Sequence, residues 1–314
     1  MALTIGIDIG GTKVAAGAVD EQGSIIASAR RDTPSHDPTK IEEIIADVVR
    51  ELQASYEIEA VGIGAAGFVD ATRATVVFAP NLAWRDEPLR AAIEARCGLP
   101  VVVENDANAA AWAEARFGAG RGQAYLVILT LGTGLGGGLV VDGELYRGRL
   151  GIAAEFGHLT VEPGGRRCGC GGRGCWERYA SGRALVREAQ ELASISPGIA
   201  GRLLELAGGQ PEAITGLAVT QAAQEGDEAA LEAFRVIGTW IGHGMASLAA
   251  ILDPGMFILG GGVSAAGELL REPAMRTLQE RITARAYREV PTVRIAELGP
   301  EAGIVGAADL ARHR

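Results

Sequence analysis

The sequence predicts an α/β protein of two domains, and three observations carry that expectation. A length of 314 residues is more than one small core usually organises. Short β-type runs alternate with stretches of helical periodicity along the chain. One pattern also occurs twice at a constant offset of 122 residues: Asp8 falls on Thr130, Gly10 on Gly132, and Val19-Asp20 on Val141-Asp142. Each copy is a β-run, a Gly/Thr turn, a second β-run and an acidic turn residue. A duplicated phosphate-holding hairpin would leave this trace, and so would a coincidence between two glycine-rich hairpins. Two such hairpins facing each other would imply a cleft.

The elements follow in order. Residues 3–9 form a β-type run that stops at Gly10-Gly11, residues 14–19 resume it after Thr12-Lys13, and residues 24–29 follow an Asp-Glu-Gln-Gly turn. This is a glycine-hinged hairpin rather than the strand-to-helix passage of a dinucleotide-binding fold. Asp37-Pro38 opens a helix whose Ile41, Ile44, Ile45, Val48, Val49 and Leu52 recur at the spacing of one buried face. Residues 61–63 and 101–103 read as further buried strands. In the C-terminal half a long helical face runs through Leu231, Phe234, Ile237, Ile241, Met245, Leu248 and Leu252 and is stopped by Asp253-Pro254. Residues 257–259 are a strand entering Gly260-Gly261-Gly262, residues 293–296 a last strand and residues 302–310 a closing helix. With no low-complexity linker, the domain boundary is expected to be a hinge near Phe117-Gly118.

Composition narrows the classes of function. The 29 Lys and Arg against 39 Asp and Glu leave a formal charge of −10, which argues against a nucleic-acid partner or a membrane surface. A few backbone N–H groups can still hold a phosphate against that field. Three of the four cysteines, Cys168, Cys170 and Cys175, crowd into eight residues, as in a metal site; Cys97 stands apart as a core thiol. A reducing cytoplasm fits this usage. The first residues, from Met1-Ala2, lack a basic region followed by a long apolar core, so no signal peptide is expected. The uncharged stretches 122–141 and 236–252 are broken by glycines and by His243 respectively, and neither reads as a bilayer span.

Four segments carry chemistry. In Asp8-Ile9-Gly10-Gly11-Thr12-Lys13 the glycines let backbone N–H groups approach an anion and Thr12 adds a hydroxyl; a tight hairpin turn would use the same glycines. Asp8, at its strand end, is placed to hold Mg²⁺ through water. Gly132-Thr133-Gly134 is the second such turn. Glu104-Asn105-Asp106 lies between a buried strand and an alanine-rich helix, where spacing alone suits Asp106 to an N-cap. A carboxylate there can equally take the proton from a substrate hydroxyl during phosphoryl transfer. Glu155-Phe156-Gly157-His158 followed by Cys168, Cys170 and Cys175 supplies three thiolates and an imidazole, a set suited to tetrahedral Zn²⁺. Four protein ligands leave no open position, which favours a structural ion. Glu155 and Glu177 flank this knot and, with the imidazole, suit a polyhydroxyl ligand.

On these motifs, together with Gly260 to Gly262, the chain resembles the ROK family of repressors and sugar kinases over essentially its whole length. The resemblance implies an actin-like ATPase (ribonuclease H-like) fold of the zinc-containing type, with two lobes around a cleft. The small lobe would be residues 1–117 completed by a C-terminal helix at 299–314, and the large lobe residues 118–298 with the zinc loop. The implied activity is transfer of the γ-phosphate of ATP, with Mg²⁺, to the 6-hydroxyl of D-glucose. In this assignment Asp106 is the general base, and Gly67, Asn81, Asn105, Asp106, Glu155, His158 and Glu177 contact the sugar. Asp8, Gly10, Gly11, Thr12, Lys13, Gly132, Thr133, Gly134, Gly260, Gly261 and Gly262 serve the nucleotide, and His158, Cys168, Cys170 and Cys175 hold zinc. Many relatives carry a Pro before the glycine matching Gly67, where this chain has Ala65-Ala66. A homodimer or homotetramer is expected. The alternatives are a kinase for another hexose or an N-acetylhexosamine, polyphosphate as donor, or a sugar-binding regulator without catalysis. The family's repressors carry a helix-turn-helix before the first phosphate motif, for which Asp8 leaves little room.

Overall fold

The computed structural model describes residues 3–313; the start of the chain at Met1-Ala2 and Arg314, the last residue of the expected C-terminal helix, lie outside the described residues. The chain divides into two compact units. The first draws on the chain up to Leu126, on Gly138–Ala154 and on the chain from Glu297 onward; the second comprises Val127–Gly137 and Glu155–Ala296.

The strands are β1 (Leu3–Ile9), β2 (Lys13–Val19), β3 (Ile25–Asp32), β4 (Ile58–Ala65), β5 (Phe68–Val69), β6 (Val76–Phe78), β7 (Arg85–Glu87), β8 (Val101–Asn105), β9 (Leu126–Leu131), β10 (Leu135–Val141), β11 (Glu144–Leu145), β12 (Met256–Gly260) and β13 (Thr292–Ile295). The helices are α1 (Pro38–Gln53), α2 (Leu89–Cys97), α3 (Asp106–Arg116), α4 (Gly182–Ile195), α5 (Gly201–Leu206), α6 (Gly216–Gln224), α7 (Glu228–Leu252), α8 (Glu268–Arg281) and α9 (Ala302–Arg312). Two five-stranded sheets run β3-β2-β1-β4-β8 and β11-β10-β9-β12-β13, and β5-β6-β7 form a small third sheet.

The repeat seen in the sequence is therefore a repeat of topology. The hairpin β1-β2 and the hairpin β9-β10 each occupy the same place in their sheet, and their strand ends coincide at the 122-residue offset: Ile9 with Leu131, Lys13 with Leu135, Val19 with Val141. Pairing in the first sheet is antiparallel for β1-β2 and β2-β3 and parallel for β1-β4 and β4-β8. The parallel strands are buried on both faces and read as apolar runs.

In the first unit α9 covers β1 and β4 at close range. A Cβ on Gly6 would strike the carbonyl of Ile304, one on Gly62 that of Ala307, and one on Gly306 that of Ala109 in α3. Glycine is needed there for backbone approach. On the other side α1, capped by Asp37 at Lys40 N, buries Ile41, Ile45, Val48, Val49 and Leu52 against the same sheet.

Buried carboxylates tie segments distant in sequence to the first unit. Glu114, fully buried in α3, accepts from Ala119 N at 2.9 Å, Glu297 N at 3.1 Å and Leu298 N at 2.8 Å, tying both segments to the first unit. Glu104 accepts from Arg147 Nε at 2.6 Å and so holds the segment after β11 there as well. Among the described residues no helix is long and apolar enough to cross a membrane.

Candidate active site and metal centre

In the first unit the turn after β1 is closed by Gly10 N donating to Lys13 O at 3.0 Å. Thr33 Oγ1 donates to Gly10 O at 2.9 Å and braces it from β3's end. Thr12 and Lys13 are exposed, and the Gly11 backbone lies against Asn81: a Cβ on Gly11 would sit 3.2 Å from the Asn81 Cβ. Asp8 ends beside the start of α9, where a Cβ on Gly303 would lie 3.1 Å from its carboxyl carbon. Burial pushes the Asp8 pKa up to about 6.

Asn105 and Asp106 stand where β8 passes into α3. The helix cap is Asn105, whose Oδ1 accepts from Asn108 N at 3.0 Å, so Asp106 is the first helical residue and does not serve as the cap that spacing alone suggested. The Asn105 amide donates to Asp106 Oδ1 and to Gly67 O, each at 3.1 Å, and Ala107 N donates to the same Asp106 oxygen at 2.9 Å. Gly67, Asn105 and Asp106 thus form one hydrogen-bonded group. Gly67 is packed against β6, since a Cβ there would come within 2.6 Å of Phe78 O. Beneath them Glu104, 2% exposed, accepts from Asn105 N at 3.1 Å and Asn108 Nδ2 at 3.0 Å.

The second unit holds the other turn. Gly132 N donates to Gly134 O at 3.0 Å, and Gly182 N, at the first position of α4, donates to Gly132 O at 2.8 Å. Ser181 caps that helix through Ala184 N. A cavity of about 560 Å³ opens here, lined by Gly132 and Thr133 on one side, Gly262 and Val263 on another, and Leu185 and Thr215 on the helical side. It is large enough for a nucleoside. Gly261, at φ 80°, passes so close to β9 that a Cβ would come within 2.6 Å of Leu131 O. Gly134, Gly260 and Gly261 do not line the cavity; Gly134 faces Glu177, whose Oε2 would be 2.7 Å from a Cβ there. The helical wall from α4 and α6 had no sequence signal, because its apolar residues serve a helix face equally well.

His158, Cys168, Cys170 and Cys175 converge: their ligand atoms all lie within 4.8 Å of one another. The Cys168 Sγ to His158 Nδ1 distance is 3.7 Å and the Cys170 to Cys175 Sγ distance 3.6 Å. A tetrahedron with bonds near roughly 2.3 Å has edges of about 3.8 Å, so the donor set fits a four-coordinate Zn²⁺. The loop closes through Cys168 N to Gly172 O at 2.9 Å, with Gly171 at φ 91° and Gly174 at φ 75° making the reversals. Trp176, fully buried, anchors it by donating Nε1 to Trp240 O at 2.9 Å while its ring covers Gly244.

Glu177 is fixed to this knot, its Oε1 lying 2.9 Å from Cys168 Sγ. Burial pushes the Glu155 pKa up, the His158 charge opposes this, and the Glu177 charge adds to it; the three side chains share one electrostatic neighbourhood. The structure thus gathers Glu155, His158 and Glu177 beside the metal ligands, and separately gathers Gly67, Asn105 and Asp106. Asn81 is exposed and keeps company with Gly11.

Comparison with known proteins identifies relatives along the whole chain. The ROK family profile matches residues 4–314. A glucokinase of Streptomyces coelicolor is 51% identical over 100% of this chain and 98% of its own, and a glucokinase of Thermotoga maritima is 38% identical over 99% and 97%. A crystal structure of a ROK family glucokinase from Streptomyces griseus with glucose and AMPPNP is 52% identical, with a TM-score of 0.92 over the full length of both chains.

Proposed function

The chain belongs to the ROK family, and from that premise we infer that it is an ATP-dependent glucokinase, transferring the γ-phosphate of ATP to the 6-hydroxyl of D-glucose. The observation that carries this reading is full-length identity of 51–52% to glucokinases, one of them captured with glucose and an ATP analogue.

The residues supply the chemistry as follows. The α4–α6 cavity takes the nucleoside, with Thr133 beside the Gly132 turn presenting its hydroxyl to the phosphates. The Gly10–Thr12 turn, built to the same pattern, offers a second set of donors. Asp8, at its strand end, and a shell of water would hold Mg²⁺, which neutralises charge on the transferring phosphate. Glu155, His158 and Glu177 accept and donate hydrogen bonds to sugar hydroxyls, their positions fixed by the zinc loop. Asp106 accepts the proton from the 6-hydroxyl as its oxygen attacks in line. Asn105, donating to both Asp106 and Gly67, holds that carboxylate in register. Zinc, held by His158, Cys168, Cys170 and Cys175, orders the loop and the imidazole. The reading carries with it a cytoplasmic location and a homodimer or homotetramer.

The test is release of ADP from Mg-ATP by the zinc-loaded protein with glucose, mannose, fructose, N-acetylglucosamine and N-acetylmannosamine in turn, the product located by phosphorus NMR. Glucose 6-phosphate as the preferred product is the expected result. Faster turnover of an N-acetylhexosamine, or turnover with polyphosphate and none with ATP, would replace the reading.

A further inference from the structure

The first unit holds a second cavity, of about 370 Å³, that none of the roles above uses. Its walls bring three guanidiniums, from Arg73, Arg116 and Arg147, against the apolar faces of Trp112, Leu145 and Leu310. We propose that this cavity is a binding site for a small organic phosphate, its anionic groups taken by the arginines and its carbon skeleton laid on the apolar wall.

The argument is one of unbalanced charge. Glu104 Oε2 serves two of the guanidiniums at once, Arg147 Nε at 2.6 Å and Arg73 Nε at 3.6 Å. Its other oxygen is committed to Asn105 N and Asn108 Nδ2. Arg73 Nε is buried and makes no hydrogen bond, and its terminal nitrogen reaches only the Leu310 carbonyl, at 3.4 Å. Arg90 adds a further guanidinium close by, spent on the Thr72 and Arg73 carbonyls and carrying a buried Nε without a hydrogen bond. Arg116 shares Asp309 with Arg312 and with the Trp112 indole. The half-buried Arg73, Arg90 and Arg147 and the more exposed Arg116 therefore outnumber the two buried carboxylates, Glu104 and Asp309, that face them. Burial first, and then the Arg147 charge, depress the Arg73 pKa to about 10 against the opposing pull of Glu104.

Surplus positive charge beside an open volume is relieved by an oxyanion such as phosphate, two of whose oxygens can accept the parallel N–H bonds of a planar guanidinium. Two further groups line the cavity, His313 and the exposed Glu144. The first lies 3.7 Å from Asp309 and is spent on it, and the charge of the second opposes an anion.

The site also abuts the strand that ends at Asn105. An occupant drawing on Arg73 and Arg147 competes with Glu104 for them, and Glu104 holds the Asn105 amide.

The experiment is calorimetric titration of the full-length, zinc-loaded protein with 3-phosphoglycerate and with inorganic phosphate, repeated on three variants. The wild type is expected to bind 3-phosphoglycerate saturably and more tightly than inorganic phosphate. Arg147→Gln should weaken it about tenfold or more, and Arg116→Gln severalfold. Glu144→Gln removes an opposing charge at the cavity and should tighten binding about threefold, a gain that a protein damaged by mutation would not show. Absence of saturable binding by the wild type would overturn the proposal. So would binding that all three variants leave unchanged, since the anion would then be held elsewhere.

Discussion

The two glycine hairpins share a backbone plan and differ in what surrounds them. Each joins the first two strands of a sheet of the same order, with its turn at the same place in the 122-residue repeat. In the first unit one helix, α1, separates the third strand of the sheet from the fourth, and the turn is braced by Thr33 and Asn81. In the second sheet the corresponding interval, between β11 and β12, holds the metal-ligand loop and four helices, α4 to α7, and the turn is tied to the N-terminus of α4 beside a large cavity. The hairpin sets where backbone donors can be presented. The inserted segment decides whether a nucleoside wall, a metal knot or only a bracing side chain stands next to them.

The largest effect should come from breaking the segment that only the second unit has. Cys175→Ser removes a buried ligand, and with it the order of the loop that places His158 and Glu177. Loss of bound zinc by elemental analysis, about 3 kcal/mol of stability and a rise of tenfold or more in the KM for glucose are expected. A metal-free variant with normal KM would detach the sugar site from the knot.

Next comes the scaffold peculiar to the first unit. Gly62→Ala drives a Cβ into the Ala307 carbonyl and should cost about 2–3 kcal/mol in denaturant unfolding, by lifting α9 off the sheet. An unchanged midpoint would mean that the close approach is dispensable.

Asp8 gives a pH-dependent version of the same comparison. Its folded pKa, about 6, lies above the ordinary 3.8, so the folded state binds the extra proton and wild-type stability falls as pH rises through that window. Asp8→Asn should therefore be more stable than wild type by up to about 3 kcal/mol above pH 6, with the difference vanishing below about pH 4. A difference independent of pH would remove buried ionisation as its cause.

The smallest stability change is expected at the second turn itself. Gly132 has open space where a Cβ would go, so Gly132→Ala should alter stability by less than about 0.5 kcal/mol. Because Gly132 lines the cavity proposed for the nucleoside, the KM for ATP should still rise severalfold while the KM for glucose holds. Equal rises in both would point to a general distortion.

Much of this arrangement is legible in the sequence. Glycines interrupt apolar runs at Gly10-Gly11 and at Gly132 to Gly134, so strand ends can be read there to within a residue, and the Cys₃His set declares itself by residue type alone. Less is legible where the decisive contact is long-range. Nothing near Glu114 foretells that it accepts from residues 119, 297 and 298, nor near Glu104 that it draws in Arg147. The small sheet β5-β6-β7 escapes notice because its strands are two or three residues long and Arg85–Glu87 is charged throughout. At Asp106 the pattern of polar residues before a helix suits either of two neighbours as cap, and only the hydrogen bond from Asn108 N to Asn105 distinguishes them.

That distinction bears on the central claim, the proposal that Asp106, the first residue of α3, takes the proton from the sugar hydroxyl. The most direct test is Asp106→Asn, near in shape and unable to take a proton, examined for turnover and for glucose binding in the same preparation. The account predicts a fall in kcat of about 10³-fold, with the glucose Kd within a few-fold of wild type and zinc retained. Turnover within tenfold of wild type would contradict it, and the proton would then have to leave by way of another group.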